Sequence, residues 1–190
     1  MKQLFSILCL LFVFSNEASA QGVPPAIIAL EGGFRQQNGD VDNAKGISPQ
    51  TAFQFGGSAA FELNGPLFFR TGLFYTQRPL KATNKATDGE LEFRMNYFDV
   101  PATLLYKIND FAGVYGGVII ATNLEKTWKL AGNSIDAQDV KSPMLPFVMG
   151  AQFKFHPEMG VNLYYEMAGD VAKGLSDYKA VGANLMFTFE

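Results

Sequence analysis

The sequence predicts an all-β protein: an eight-stranded antiparallel up-and-down transmembrane β-barrel that follows a cleaved export signal. Three observations predict it. The N-terminus has the charge and length pattern of a secretory signal, the remainder alternates apolar and polar residues with a period of 2, and its connections alternate between long and short.

Met1-Lys2-Gln3 supplies one positive charge, residues 4–14 form an apolar run, and Ser15-Asn16-Glu17-Ala18-Ser19-Ala20 ends in small residues. This marks residues 1–20 as a signal peptide cut after Ala20, leaving 21–190 as one barrel domain. The apolar run is too short to be a retained spanning helix, which needs roughly 20 residues. Cys9, the only cysteine, sits in mid-run after Ile7-Leu8 rather than at a lipoprotein cleavage site. The mature chain therefore has no disulfide, thiolate nucleophile or cysteine-held metal.

The net charge of −3 is unchanged by removing the signal, because Lys2 and Glu17 cancel. There is no basic excess to attract nucleic acid. Mean hydropathy of +0.06 is high for a chain with 17% charged residues, yet nothing after residue 20 reads as a spanning helix. Apolar residues spread in alternation over a barrel's outer face account for both facts.

Eight segments carry the alternation. Segment 27–35 sets Ile28, Leu30, Gly32 and Phe34 against Ala29, Glu31, Gly33 and Arg35. Segment 52–63 is the clearest, with Phe53, Phe55, Ala59, Phe61 and Leu63 opposite Gln54, Ser58 and Glu62. In 67–75, Leu67, Phe69, Leu73 and Tyr75 oppose Arg70 and Gly72. Segment 98–108 sets Phe98, Val100, Leu104 and Tyr106 against Asp99, Pro101, Thr103 and Lys107. Segment 112–124 is weaker, because Val118-Ile119-Ile120 interrupts the period. Segments 147–155, 161–167 and 181–189 place Gln152 and Lys154, Asn162 and Glu166, and Asn184 and Thr188 on their polar faces. Most segments are near the 9–11 residues that a tilted spanning strand needs.

Polar stretches at 36–51, 76–92, 125–142 and 168–177 are expected to be long outer loops. Asn64-Gly65-Pro66, Asn109-Asp110 and His156-Pro157-Glu158 read as short turns on the opposite side. The sequence stops at Glu190, straight after the last segment, so no peptidoglycan-binding domain is expected.

Alternation alone does not separate a membrane barrel from a soluble lipocalin-like carrier with its apolar face inward. The polar face decides. It is mostly Gly, Ser, Ala, Asn, Gln and Thr, which suits a narrow lumen filled by its own side chains better than a solvated exterior. Its charges, Glu31, Arg35, Glu62, Arg70, Asp99, Lys107, Lys154 and Glu166, divide evenly into four acids and four bases. They are expected to form a lumenal charge network, since buried charges are costly unless paired. Solvated rim positions are the alternative for any one of them. Tyr75, Tyr97, Tyr106, Tyr165 and Tyr178 are expected in interfacial girdles.

Tyr97-Phe98-Asp99-Val100-Pro101-Ala102-Thr103-Leu104-Leu105-Tyr106-Lys107, with an acidic residue and a proline in a strand ending Leu-Leu-x-Lys, resembles the PorT-like outer-membrane barrel domain. The resemblance implies an outer-membrane barrel inserted by the barrel-assembly machinery. The final Phe187-Thr188-Phe189 is followed by Glu190, which departs from the terminal aromatic common in such barrels. Pro101 forfeits a ladder hydrogen bond and is expected at a local bulge.

No catalytic, cofactor-binding or metal-binding residue is expected. The single histidine, His156, lies in a turn away from the outer mouth, and no Gly-x-Ser-x-Gly or phosphate loop is present. Asn38, Asp40, Asp42 and Asn43 could offer oxygens to Ca²⁺, but read better as a solvated acidic loop. Trp128 is expected in a long loop, anchored at the interface. Met144, between Pro143 and Pro146, reads as loop-to-strand entry. The sequence thus points to a non-enzymatic monomer in outer-membrane lipid, with a structural, adhesive or assembly role carried by its outer loops. An extracellular protein or glycan is the partner expected there; a narrow pore and the lipocalin-like carrier are the alternatives.

Overall fold

A computed structural model describes residues 26–42, 44–85, 89–130, 133–136, 140–172 and 175–189. The predicted signal peptide, Asn43 and Glu190 lie outside the described residues. The strands are β1 (Ala26–Val41), β2 (Ala44–Ser48), β3 (Gln50–Asn64), β4 (Leu67–Gln77), β5 (Leu80–Asn84), β6 (Glu90–Lys107), β7 (Ala112–Leu130), β8 (Asn133–Asp136), β9 (Phe147–His156), β10 (Met159–Ala168) and β11 (Leu175–Phe189).

Eight of these close into an antiparallel barrel, in the order β1-β3-β4-β6-β7-β9-β10-β11. Closure comes from β1, which pairs with β3 on one side and with β11 on the other, Ile28 opposite both Ala59 and Phe189. A closed ladder leaves no unpaired edge in hydrocarbon, where each free backbone group would cost several kcal/mol. The turns after β3, β6 and β9 share one end with Ala26 and Phe189, here termed the turn end. The opposite, loop end carries β2, β5 and β8.

The outward face is apolar. Ile28, Leu30, Phe34, Phe55, Phe153, Val181, Leu185 and Phe187 are each 44–69% exposed. An exposed apolar belt on every barrel strand is untenable in water and matches a hydrocarbon surround. The lipocalin-like alternative, which requires those residues inside, is overturned. Ile119 is the inward residue of the Val118-Ile119-Ile120 run, so the alternation of β7 is intact there. Small inward residues let the walls approach. The Tyr164 ring packs where a Cβ at Gly182 would stand, and Tyr115 does the same over Gly150.

Several expectations are corrected. The predicted loops 36–51, 76–92 and 125–142 are largely strand: β1 runs to Val41, β6 begins at Glu90 and β7 continues to Leu130. The β6 extension does alternate, with Phe93, Met95 and Tyr97 buried inside and Glu92, Arg94 and Asn96 on the outer face. Its apolar face thus turns inward, the reverse of the lipid-facing phase below it. In β1 beyond Gln36 both faces carry polar residues and backbone pairing holds the strand. Trp128 accordingly lies in β7, opposite Phe93 and Ile135, rather than in a loop. Met144 lies before β9, is buried, and forms an isolated bridge to Ala121. Pro101 needs no bulge. Pairing of β6 with β4 holds one register on both sides of it, from Thr71↔Ala102 to Phe74↔Asp99. The irregularity in β6 is instead at Asn96/Tyr97, against β7.

Candidate functional site

The lumen is occupied by two layers of ion pairs. Glu31 and Arg35 both point inward from β1, four residues and therefore about 13 Å apart along the strand. In the first layer Arg70 Nη2 donates to Glu31 Oε1 at 2.5 Å, joined there by the Ser58 hydroxyl. Asn162 Nδ2 donates to Glu31 Oε2 at 2.8 Å, while its Oδ1 accepts from Tyr115 OH at 2.8 Å. The Arg70 guanidinium lies 4.8 Å from the Tyr115 ring centroid.

In the second layer Arg78 grips Asp99 with both terminal nitrogens, at 3.0 and 2.8 Å, and donates to Glu166 Oε1 at 2.9 Å. Arg35 Nη2 donates to Glu166 Oε2 at 3.0 Å and to the Tyr178 hydroxyl at 3.2 Å. Tyr178 OH in turn donates to Gln37, whose amide donates to the Pro79 carbonyl. Arg78 also stands 4.6 Å from the Tyr97 ring centroid. Three guanidinium and three carboxylate groups make the set neutral, and all six are at most 5% exposed. Each ion would cost several kcal/mol to bury alone, so mutual pairing is what the lumen requires.

Between the layers lies a void of about 40 Å³ lined by residues including Glu31, Thr76, Asp99, Tyr164, Glu166 and Asn184. Thr76 Oγ1, Tyr164 OH and Asn184 Oδ1 are buried without a protein partner there. A void of that size and polarity suits a few waters.

Of the eight charges the sequence singled out, the structure gathers Glu31, Arg35, Arg70, Asp99 and Glu166 in these layers. The other three are corrected to the turn end. Glu62 is exposed, and Lys107 and Lys154 are half-buried. The Lys107 ammonium sits 4.2 Å from the Phe68 ring centroid. All three lie near strand termini, outside the two layers. Arg78 was missed because it fell in a predicted loop. Parity would have found it, since Phe68, Arg70, Phe74, Thr76 and Arg78 are all buried along one line.

The tyrosine expectation is corrected similarly. Tyr97 and Tyr178 are both fully buried in the lumen, not in girdles. Tyr97 lies two residues before Asp99 and so shares its face. Tyr75 does face outward, 5.4 Å from Phe55 and 6.0 Å from Phe53. His156, expected in a turn, is the exposed last residue of β9, paired with Met159, its Nδ1 accepting from the Glu158 amide at 3.3 Å.

A closed eight-stranded barrel with an apolar exterior and a charged, side-chain-filled interior is a small transmembrane barrel of the outer membrane. The chain belongs to the outer membrane protein beta-barrel domain family, whose model matches residues 20–179. The crystal structure of Ail, the attachment invasion locus protein of Yersinia pestis, in complex with the heparin analogue sucrose octasulfate, is similar with a TM-score of 0.59 and 17% identity. That match covers 86% of this chain and 99% of Ail. Neisserial surface protein A is similar with a TM-score of 0.52 and 15% identity, covering 88% and 99% of the two chains. At such identities the likeness is one of fold. No curated protein matches the sequence.

Proposed function

We propose that this protein is a non-conducting, non-enzymatic outer-membrane barrel that acts through the structure it projects from its loop end, in a structural or adhesive role. The observation that carries this reading is the lumen. An ion crossing it would have to break through both neutral layers of paired charges, and the void between them has room for a few waters only. That arrangement weighs against the narrow-pore alternative. Within the family, the Tyr97–Lys107 strand favours kinship with PorT-like barrels, and residues 1–20 fit an export signal.

Ail was crystallised with a heparin analogue. Polyanion binding is not the reading favoured here. Among the described residues at the loop end, Lys81, Arg94, Lys141 and Lys179 are each paired with an acid, respectively Glu90, Glu92, Asp170 and Asp177. Around those four cations the charge is mixed rather than basic. The test is conductance in planar bilayers. The refolded wild-type barrel is expected to give no steady channel; a stable ohmic conductance from it would establish the pore instead.

A further inference from the structure

We propose that a cleft in the outer wall at the loop end, beside the bulge in β6, is a binding site for a neutral saccharide. On one side β4 and β5 keep a single register against β6, Gln77↔Asn96 and Leu80↔Phe93, joined by the bond from Arg78 N to Met95 O at 2.7 Å and interrupted at Pro79. On the other side the Asn96/Tyr97 irregularity shifts the register of β6 against β7, and a bulge of this kind re-aims the side chains beside it. The cleft measures about 520 Å³, within the range of roughly 300–1,000 Å³ usual for small-ligand sites.

Its lining has saccharide chemistry. Gln50, Gln77 and Asn96 bring side-chain amides, Glu92 and Glu125 carboxylates, and Arg94 a guanidinium. Amides and carboxylates arranged together can both donate to and accept from vicinal hydroxyls. Several are already held in place. Arg94 Nε donates to Glu92 Oε1 at 2.9 Å, and Asn96 Nδ2 donates to Glu125 Oε2 at 3.0 Å. Asn123 Nδ2, beside the bulge, donates a hydrogen bond to the Glu125 carbonyl at 3.3 Å. Such pre-orientation lowers the entropy lost on binding.

Charge narrows the ligand. Two carboxylates face one guanidinium, and that guanidinium is paired, so a phosphate- or sulfate-rich ligand would be repelled. Position narrows it further. Gln77 follows Tyr75 by two residues on the outward face of β4, directly beyond the Phe53, Phe55 and Tyr75 aromatic cluster. The cleft therefore sits at the outer edge of the apolar belt, at the height of glycolipid headgroup sugars. Those sugars and a free extracellular glycan share the chemistry. This inference rests on the proposed loop-end role, but a conducting lumen would refute that role without changing binding in the cleft.

The test uses the barrel in phosphatidylcholine nanodiscs. One arm applies it to an array of neutral and sulfated oligosaccharides. The other compares nanodiscs carrying lipopolysaccharide with a core of neutral hexoses against nanodiscs carrying the truncated form that stops at its acidic inner-core sugars. The side-chain amide signals of Gln50, Gln77 and Asn96 are expected to shift with neutral glycans or with the core sugars, independently of salt. Response to the array alone assigns the site to an external glycan, and response to the core alone to the cell's own outer leaflet. Asn96→Ala is expected to weaken binding by about tenfold or more, as loss of hydrogen bonds in a pre-oriented site should. If that variant does not refold, Gln77→Ala carries the same expectation. Silence in both arms overturns the proposal. So does a response confined to sulfated glycans and abolished by salt.

Discussion

Replacing Arg78 by methionine tests the account of the lumen most directly. The substitution retains an unbranched side chain of similar reach and removes the guanidinium. Asp99 then loses both of its bonds, at 3.0 and 2.8 Å, and has no other cation within ion-pair distance among the described residues. Glu166 keeps only Arg35, at 3.0 Å. One carboxylate is stranded in a site that Arg78 fills with no exposure at all. Breaking a buried pair from one side costs roughly 3–5 kcal/mol, because the uncompensated charge stays buried. Removing both partners, as Arg78→Met with Asp99→Leu, should recover about 1–3 kcal/mol of that loss. The comparator is Lys141→Met, which breaks a 3.4 Å pair with Asp170 whose side chains are 55% and 66% exposed. It should cost less than about 1 kcal/mol. Urea unfolding in phospholipid vesicles, followed by Trp128 fluorescence and by the gel shift of the boiled barrel, measures all three. If Arg78→Met lies within about 1 kcal/mol of Lys141→Met, the paired-charge account of the lumen is wrong.

Other expectations concern the wall and its orientation. Ala183→Arg puts a cation on the lipid face between Phe34 and Leu163 and should cost roughly 2–4 kcal/mol. Ala183→Leu should be near neutral in the same titration. Gly33→Ala should abolish the heat-shifted band, because its Cβ would collide with the Ala183 carbonyl on the paired strand. Gly169→Ala, with open space around it, should fold normally. Epitope tags at Asp42 or in 86–88 should be reached by antibody on intact cells, and tags in 64–66 only after the membrane is opened. The reverse pattern would invert the barrel and remove the cleft's access to external glycans.

Where one face of a strand must be apolar, the sequence carried the answer. Phe53, Phe55, Ala59 and Phe61 announce β3 because hydrocarbon on one side and a packed lumen on the other impose a period of 2. The same rule marked Glu31, Arg35, Arg70, Asp99 and Glu166 as inward, since a residue's face follows from parity alone. Beyond the belt the phase reverses: in β6 the apolar Phe93, Met95 and Tyr97 are inside and Glu92, Arg94 and Asn96 are outside. Arg78 and Tyr97 lie beyond the apolar belt, so counting apolar residues left Arg78 in a loop and Tyr97 in a girdle. Parity extended past the belt turns both into the lumen, Arg78 in line with Arg70 and Tyr97 in line with Asp99, and the closed ladder bears this out. The partners of the charges were decided by tertiary structure. Glu166 on β10 meets Arg35 on β1 and Arg78 just beyond β4, residues 131 and 88 positions away, and such pairings depend on strand order and shear rather than local pattern. The cleft has the same origin. It lies beside a one-residue shift of β6 against β7, which leaves no trace in hydrophobic period.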